Sequence, residues 1–166
     1  MEQITAKKTA LQVLINLYDY HTRLFNNVIV GISDEDANKR LNTKANHIAW
    51  ITGSLVNARY DLARAIGVNQ QQATNELFKD NKGIQDNATY PTLAEFKQDW
   101  EKISPPLRDA LVNLSEDQLN GPDPFEMPGN MKLFDSIMFL TDRESYCIGQ
   151  VGLWRRLLGY EAMKYD

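Results

Sequence analysis

The stretch KLFDSIMFLTDRESYCIGQVGLWRRLLG, residues 132–159, decides the fold. Within it Leu140, Arg143, Cys147, Val151, Trp154 and Leu158 recur at steps of three and four, the period of one face of an α-helix. Gly159 follows as a helix stop, because glycine takes up the left-handed conformation that ends a helix at little cost. The spacing therefore predicts a long helix from about Lys132 to Leu158.

The same period extends outward from this segment. Ala10, Val13, Leu14, Leu17, Phe25, Val28 and Ile29 predict a first helix from Thr5 to about Val30, ended by Gly31. Ser33 and the acidic Asp34-Glu35-Asp36 predict a short helical stretch to Leu41. Thr43 is the expected cap of a second long helix that runs to Ile66 before Gly67. Its inner stripe reads His47, Trp50/Ile51, Ser54/Leu55, Ala58, Leu62 and Ala65/Ile66. The small Ser54 and Ala58 imply either close helix packing or a hollow.

Residues 68–91 are polar and form a long connection with one short turn expected at Asn75–Phe78. Pro91 and the capping box Thr92-Leu93-Ala94-Glu95 open a third helix toward Leu114. Pro105 and Pro106 lie inside it, and a kink or break is expected near Ser104. Ser115 opens another short turn, and the segment from Gly121 to Gly129 reads as loop. The pattern is all-α: a four-helix bundle with a long connection between its second and third helices, which allows those two to run in one direction.

The 166 residues make one domain, 1–166. Hydrophobic content of 43% and charged content of 24% exclude disordered and collagen-like classes. The single cysteine, Cys147, excludes an internal disulfide. The net charge of −4 argues against a nucleic-acid partner. No apolar run reaches the length of a membrane span, and no secretory signal opens the chain. A cytoplasmic location is the expectation.

Phosphate-loop, dinucleotide, nucleophile-elbow and zinc-protease motifs are absent. Three residues could carry chemistry. Arg143 interrupts an apolar row; a buried guanidinium needs a carboxylate, or else an opening to water or an anion, unless it lies at the stripe's edge and snorkels. His47 opens the inner face of the second helix beside Trp50, where imidazole is either a satisfied core group or a ligand. Cys147 is an inert small hydrophobe unless Arg143, one turn before it, stabilises the thiolate. His21 reads as a surface or boundary residue. Arg155-Arg156 and Asp99-Glu101-Lys102 read as solvated faces, and Trp50, Trp100 and Trp154 as core or pocket rim.

The run Glu144-Ser145-Tyr146-Cys147-Ile148-Gly149-Gln150 through Arg155-Arg156-Leu157-Leu158-Gly159 resembles the last helix of DinB-like (DinB/YfiT) proteins. Asn46-His47-Ile48-Ala49-Trp50 with Gly53-Ser54 resembles their second helix, and the order of elements agrees over nearly the whole chain. The resemblance implies an up-down-down-up bundle, frequent homodimers, and nickel or zinc held by three histidines. It also implies kinship with thiol-dependent transferases and isomerases. His47 matches one ligand; the other two fall on Arg143 and Cys147. Arginine has no free lone pair and stays charged, so it cannot ligate. The expectation is a degenerate site with no metal, whose pocket candidates are His47, Trp50, Arg143, Glu144, Cys147 and Trp154. What is expected to bind is a small molecule, anionic if Arg143 stands in for the metal's charge, or a partner protein. The alternative is a thiol-dependent enzyme that uses Cys147, or a metal held by His47, Glu144 and Cys147.

Overall fold

The computed structural model describes residues 2–166, with the side chains of residues 2–8 and of Asn81 left aside. The described chain is all helical. Four long helices, α1 (Glu2–Ile29), α3 (Ile48–Ala65), α4 (Leu93–Val112) and α6 (Leu133–Leu157), are joined through two short ones, α2 (Asp34–Ala37) and α5 (Glu116–Leu119). Two 3-10 turns, Asn75–Leu77 and Lys79–Asn81, punctuate the long connection. Among the described residues no strand forms, only an isolated bridge between Pro122 and Lys132. No helix of the described residues is long and apolar enough to cross a membrane.

The long helices share one core. Trp100 of α4 stacks on Phe25 of α1 at 4.0 Å between centroids, and Ile48, Ile51, Leu55, Tyr60, Phe96, Ile103, Leu107 and Ile137 are sealed around them. Residues of this size each contribute roughly 1.5–3 kcal/mol when fully buried. Local signals set the boundaries. Gly31 and Gly159 take φ of +76° and +88° just past α1 and α6. The Thr92–Glu95 capping box starts α4, and a second, Ser115–Gln118, starts α5.

Several boundaries differ from the sequence reading, and α2 ends at Ala37 rather than at Leu41. Thr43 does not cap α3. Leu41 and Asn42 are left-handed, with φ of 46° and 59°, and the Thr43 hydroxyl donates back to the Arg40 carbonyl. The chain is still turning there, so the helix starts four residues later, at His47. Nor is α4 broken at Pro105 and Pro106. Their missing amides would have bonded the carbonyls of Glu101 and Lys102. Both residues are exposed, so water can take the place of the lost donors. On the other face Ile103, Ser104 and Leu107 are buried and hold the helix in line.

Candidate functional site

A cavity of about 450 Å³ lies between α3 and α6, within the size range of small-molecule sites. Trp50, Ser54, Asn57, Ala58 and Asp61 line it from α3, spaced so that they share one helix face. Phe139, Leu140 and Arg143 line it from α6. Phe78, Asp80 and Lys82 of the long connection and Phe125 and Met127 of the α5–α6 loop complete the wall. The small side chains of Ser54 and Ala58 thus border a hollow rather than a tight helix contact. Gly53 serves the same wall. A Cβ there would fall 2.3 Å from the ring of Phe78 and 2.6 Å from that of Phe96, so only glycine lets Phe78 pack against α3.

Arg143 is half-buried at the cavity wall. Its Nη2 donates to the Ser54 hydroxyl at 2.7 Å, and among the described residues it forms no ion pair with a carboxylate. Trp50 Nε1, a donor only, is buried without a partner. Further along α3, Asn57 Nδ2 donates to Asp61 Oδ2 at 2.7 Å. That bond turns Asn57 Oδ1 away, and this oxygen is buried and unpartnered. Asp61 also takes a hydrogen bond from Arg64. Burial nonetheless pushes the Asp61 carboxyl above the usual range, against the pull of Arg64 and Asn57.

The other sequence candidates lie outside this cavity. His47 is the N-cap of α3: its Nδ1 accepts the Trp50 backbone N–H at 3.1 Å, and its ring stands edge-on to Tyr90 at 4.9 Å. It borders a separate, shallower depression beside Arg40 and Asp86. Burial first, and the Arg40 charge second, hold its imidazole below the ordinary value. Cys147 and Trp154 are core residues, 5% and 6% exposed. Burial raises the Cys147 thiol, and the opposing charge of Arg143 does not cancel it.

Glu144 belongs to a network that the sequence reading missed. Arg59 of α3, 2% exposed, donates Nε and Nη2 to the two Glu144 oxygens at 2.6 and 2.9 Å. Its Nη1 reaches the hydroxyls of Thr22 and Ser104 at 2.8 and 2.6 Å. The guanidinium lies between the rings of Tyr18 and Trp100, 3.8 and 3.4 Å from their centroids. His21, read as a boundary residue, is 4% exposed, and its Nδ1 approaches Glu144 at 3.3 Å without an aligned hydrogen bond. Burial alone would raise the Glu144 carboxyl; Arg59 overcomes this, and the net shift is downward. Arg155 is a second correction. Instead of facing water it is 6% exposed, and its Nη1 donates to the carbonyls of Val28 and Val30 at the end of α1.

These donors do not fit a divalent metal. A metal-bound imidazole usually donates its second ring N–H, whereas His47 Nδ1 already accepts and leaves the proton on Nε2. Glu144 is saturated by Arg59, and the Cys147 thiol is held protonated. Among the described residues no three His, Cys, Asp or Glu side chains come together as a possible metal site.

Fold and site together define an all-helical protein with a small-molecule-sized cavity walled by two of its long helices. It is similar to a conserved protein of Enterococcus faecalis known from a crystal structure. The TM-score is 0.66 at 13% identity, over 88% of this chain and 95% of the other. At that identity the likeness speaks to the fold alone. No protein-family profile matches the chain, and no curated protein matches it.

Proposed function

We propose that this chain is a DinB-like four-helix bundle of up-down-down-up topology that binds a small anionic molecule between α3 and α6, without the three-histidine metal chemistry of that family. Inter-helix pairings support the topology. His21 meets Glu144 and Val28 meets Arg155, which fits α1 and α6 running the same way. Tyr18 reaches Ser104 while Thr22 reaches Trp100, which fits α4 running opposite to α1. Gly53 lies against Phe96 and Tyr60 against Asp99, which fits α3 parallel to α4.

The functional reading rests on Arg143: a half-buried guanidinium at a cavity wall, partnered by Ser54 and, among the described residues, by no carboxylate. Such a group favours a carboxylate or phosphate ligand. Calorimetric titration with phenylbutyrate and with inorganic phosphate tests it. At least one of the two should bind the unmodified protein and lose tenfold or more in affinity in Arg143→Leu. Equal affinities would overturn the reading. Nickel or zinc found in one-to-one ratio in untagged protein, by mass spectrometry, would overturn its metal-free part. The thiol-dependent alternative has no observation in its favour, since Cys147 is buried and held as the thiol.

The reading includes a cytoplasmic homodimer. Tyr146, Leu153 and Leu157 are exposed along α6, and such side chains suit self-association. Light scattering on the eluting protein measures the oligomeric state.

A further inference from the structure

We infer that the occupant of the α3–α6 cavity is dipolar: an anionic group at Arg143 and a cationic hydrogen-bond donor at Asp61, joined by an apolar body. This rests on the anion-binding reading and adds a second recognition point to it.

The cavity is polarised along α3. At one end the charged group is a donor, the Arg143 guanidinium, which bonds Ser54 and meets no carboxylate among the described residues. At the other it is an acceptor, the Asp61 carboxylate, which takes hydrogen bonds from Asn57 and Arg64 and has further lone pairs to offer. Asn57 is 6% exposed, and its orientation is fixed by chemistry. A flipped amide would set its oxygen against the Asp61 carboxylate, so the NH₂ must face Asp61 and the oxygen must be left over. Ser54, which marks the Arg143 end, and Asp61 are seven residues apart on one face. At 1.5 Å per residue the two ends are roughly 10 Å apart. Ala58 of α3 lies between them, and Leu140, Phe139 and Phe125 add apolar surface to the same wall.

Simpler ligands fit one end and fail the other. A hydrocarbon tail reaching Asp61 would strip water from a carboxylate, which is costly. A dianion would set like charges together there, with Asp80 of the same wall adding to the repulsion. Lys82 does not relieve this, because its Nζ is turned to the Glu76 carbonyl at 3.0 Å. Arg64 offsets part of the Asp61 charge from outside the cavity. An ammonium donor bonds the remaining Asp61 lone pairs and balances the remaining charge.

The test compares three ligands of matched body on the intact protein by calorimetric titration: phenylbutyrate, its para-hydroxymethyl derivative and its para-aminomethyl derivative. The extended aminomethyl compound spans the two ends. It should bind at least tenfold more tightly than phenylbutyrate, with the uncharged hydroxymethyl compound in between. In Asp61→Asn the ammonium advantage over phenylbutyrate should vanish. Equal affinities for the three ligands in the unmodified protein overturn the inference and leave the anion reading standing. An ammonium advantage that survives Asp61→Asn also overturns it. Failure of all three to bind overturns both. The comparison on unmodified protein needs no variant, so poor folding of Asp61→Asn would not remove the test.

Discussion

Arg59 and Glu144 stand 85 residues apart in the chain and meet as a two-bond ion pair in the core, Nε to Oε1 at 2.6 Å and Nη2 to Oε2 at 2.9 Å. Losing one member strands the other in a low-dielectric interior. Glu144→Gln or Arg59→Met alone should each cost about 3–5 kcal/mol, and the double change Arg59→Met/Glu144→Leu far less than their sum. Urea unfolding of the three variants measures the coupling.

The same pair sets an acid limit. The Glu144 carboxyl is held below its ordinary value of 4.5 in the folded state. Its contribution to stability is therefore complete above about pH 4.5 and is lost as pH falls through the lower folded value. Midpoints of thermal unfolding followed from pH 6 to 3 should drop more steeply for the unmodified protein than for Glu144→Gln.

His47 should behave as a helix cap. Its Nδ1 accepts the Trp50 amide, so His47→Ala should cost about 1 kcal/mol and His47→Ser should restore most of it. Protonation removes the acceptor. Because the folded imidazole lies below its ordinary value of 6.5, the contribution is present above that pH and fades as pH falls. The stability difference between the unmodified protein and His47→Ser, measured from pH 8 to 5, should shift in favour of serine on the acid side.

Gly53 should tolerate no side chain while Phe78 and Phe96 keep their places. Gly53→Ala should destabilise by about 1–3 kcal/mol through overpacking. Phe78→Leu in the same chain should relieve part of that, as chemical denaturation would record.

Cys147 should react slowly with iodoacetamide in the folded protein and fully in denaturant. Burial keeps it a thiol, and the rise of alkylation rate with pH should fall above the ordinary cysteine range of about 8.5.

Most helix boundaries were legible because they are written in short-range chemistry. Gly31, Gly159, Thr92–Glu95 and Ser115–Gln118 act within one turn of themselves. The hollow beside Ser54 and Ala58 was readable as one of two outcomes, and the outcome depended on Phe78 arriving from the long connection. The Arg59–Glu144 pair was not read, although a signal existed. Arg59 falls between Leu55 and Ala63 at steps of four, and Glu144 between Thr141 and Ile148 at steps of three and four. Opposite charges interrupting the apolar stripes of two helices is a pattern that sequence can carry. The stripe read through Leu140 and Arg143 left Glu144 beside it, which also hid the partner of His21, while Cys147, Val151 and Trp154 of the same stripe are buried. His47 stayed open between a core group and a ligand, because an N-cap imidazole and a ligand imidazole occupy the same place in the pattern.

The paired prolines of α4 give that helix two unlike sides. Along the core, Ser104 is tied to Tyr18 and Arg59, so the inner edge is stiff. Along the solvent edge two consecutive rungs of the hydrogen-bond ladder are missing, on the side where Glu101 and Lys102 are exposed. In amide exchange α4 would therefore read as two protected runs with a silent gap at 105 and 106. Under load it would yield outward, toward the wet side, while the indole of Trp100 and the guanidinium beneath it stay in register.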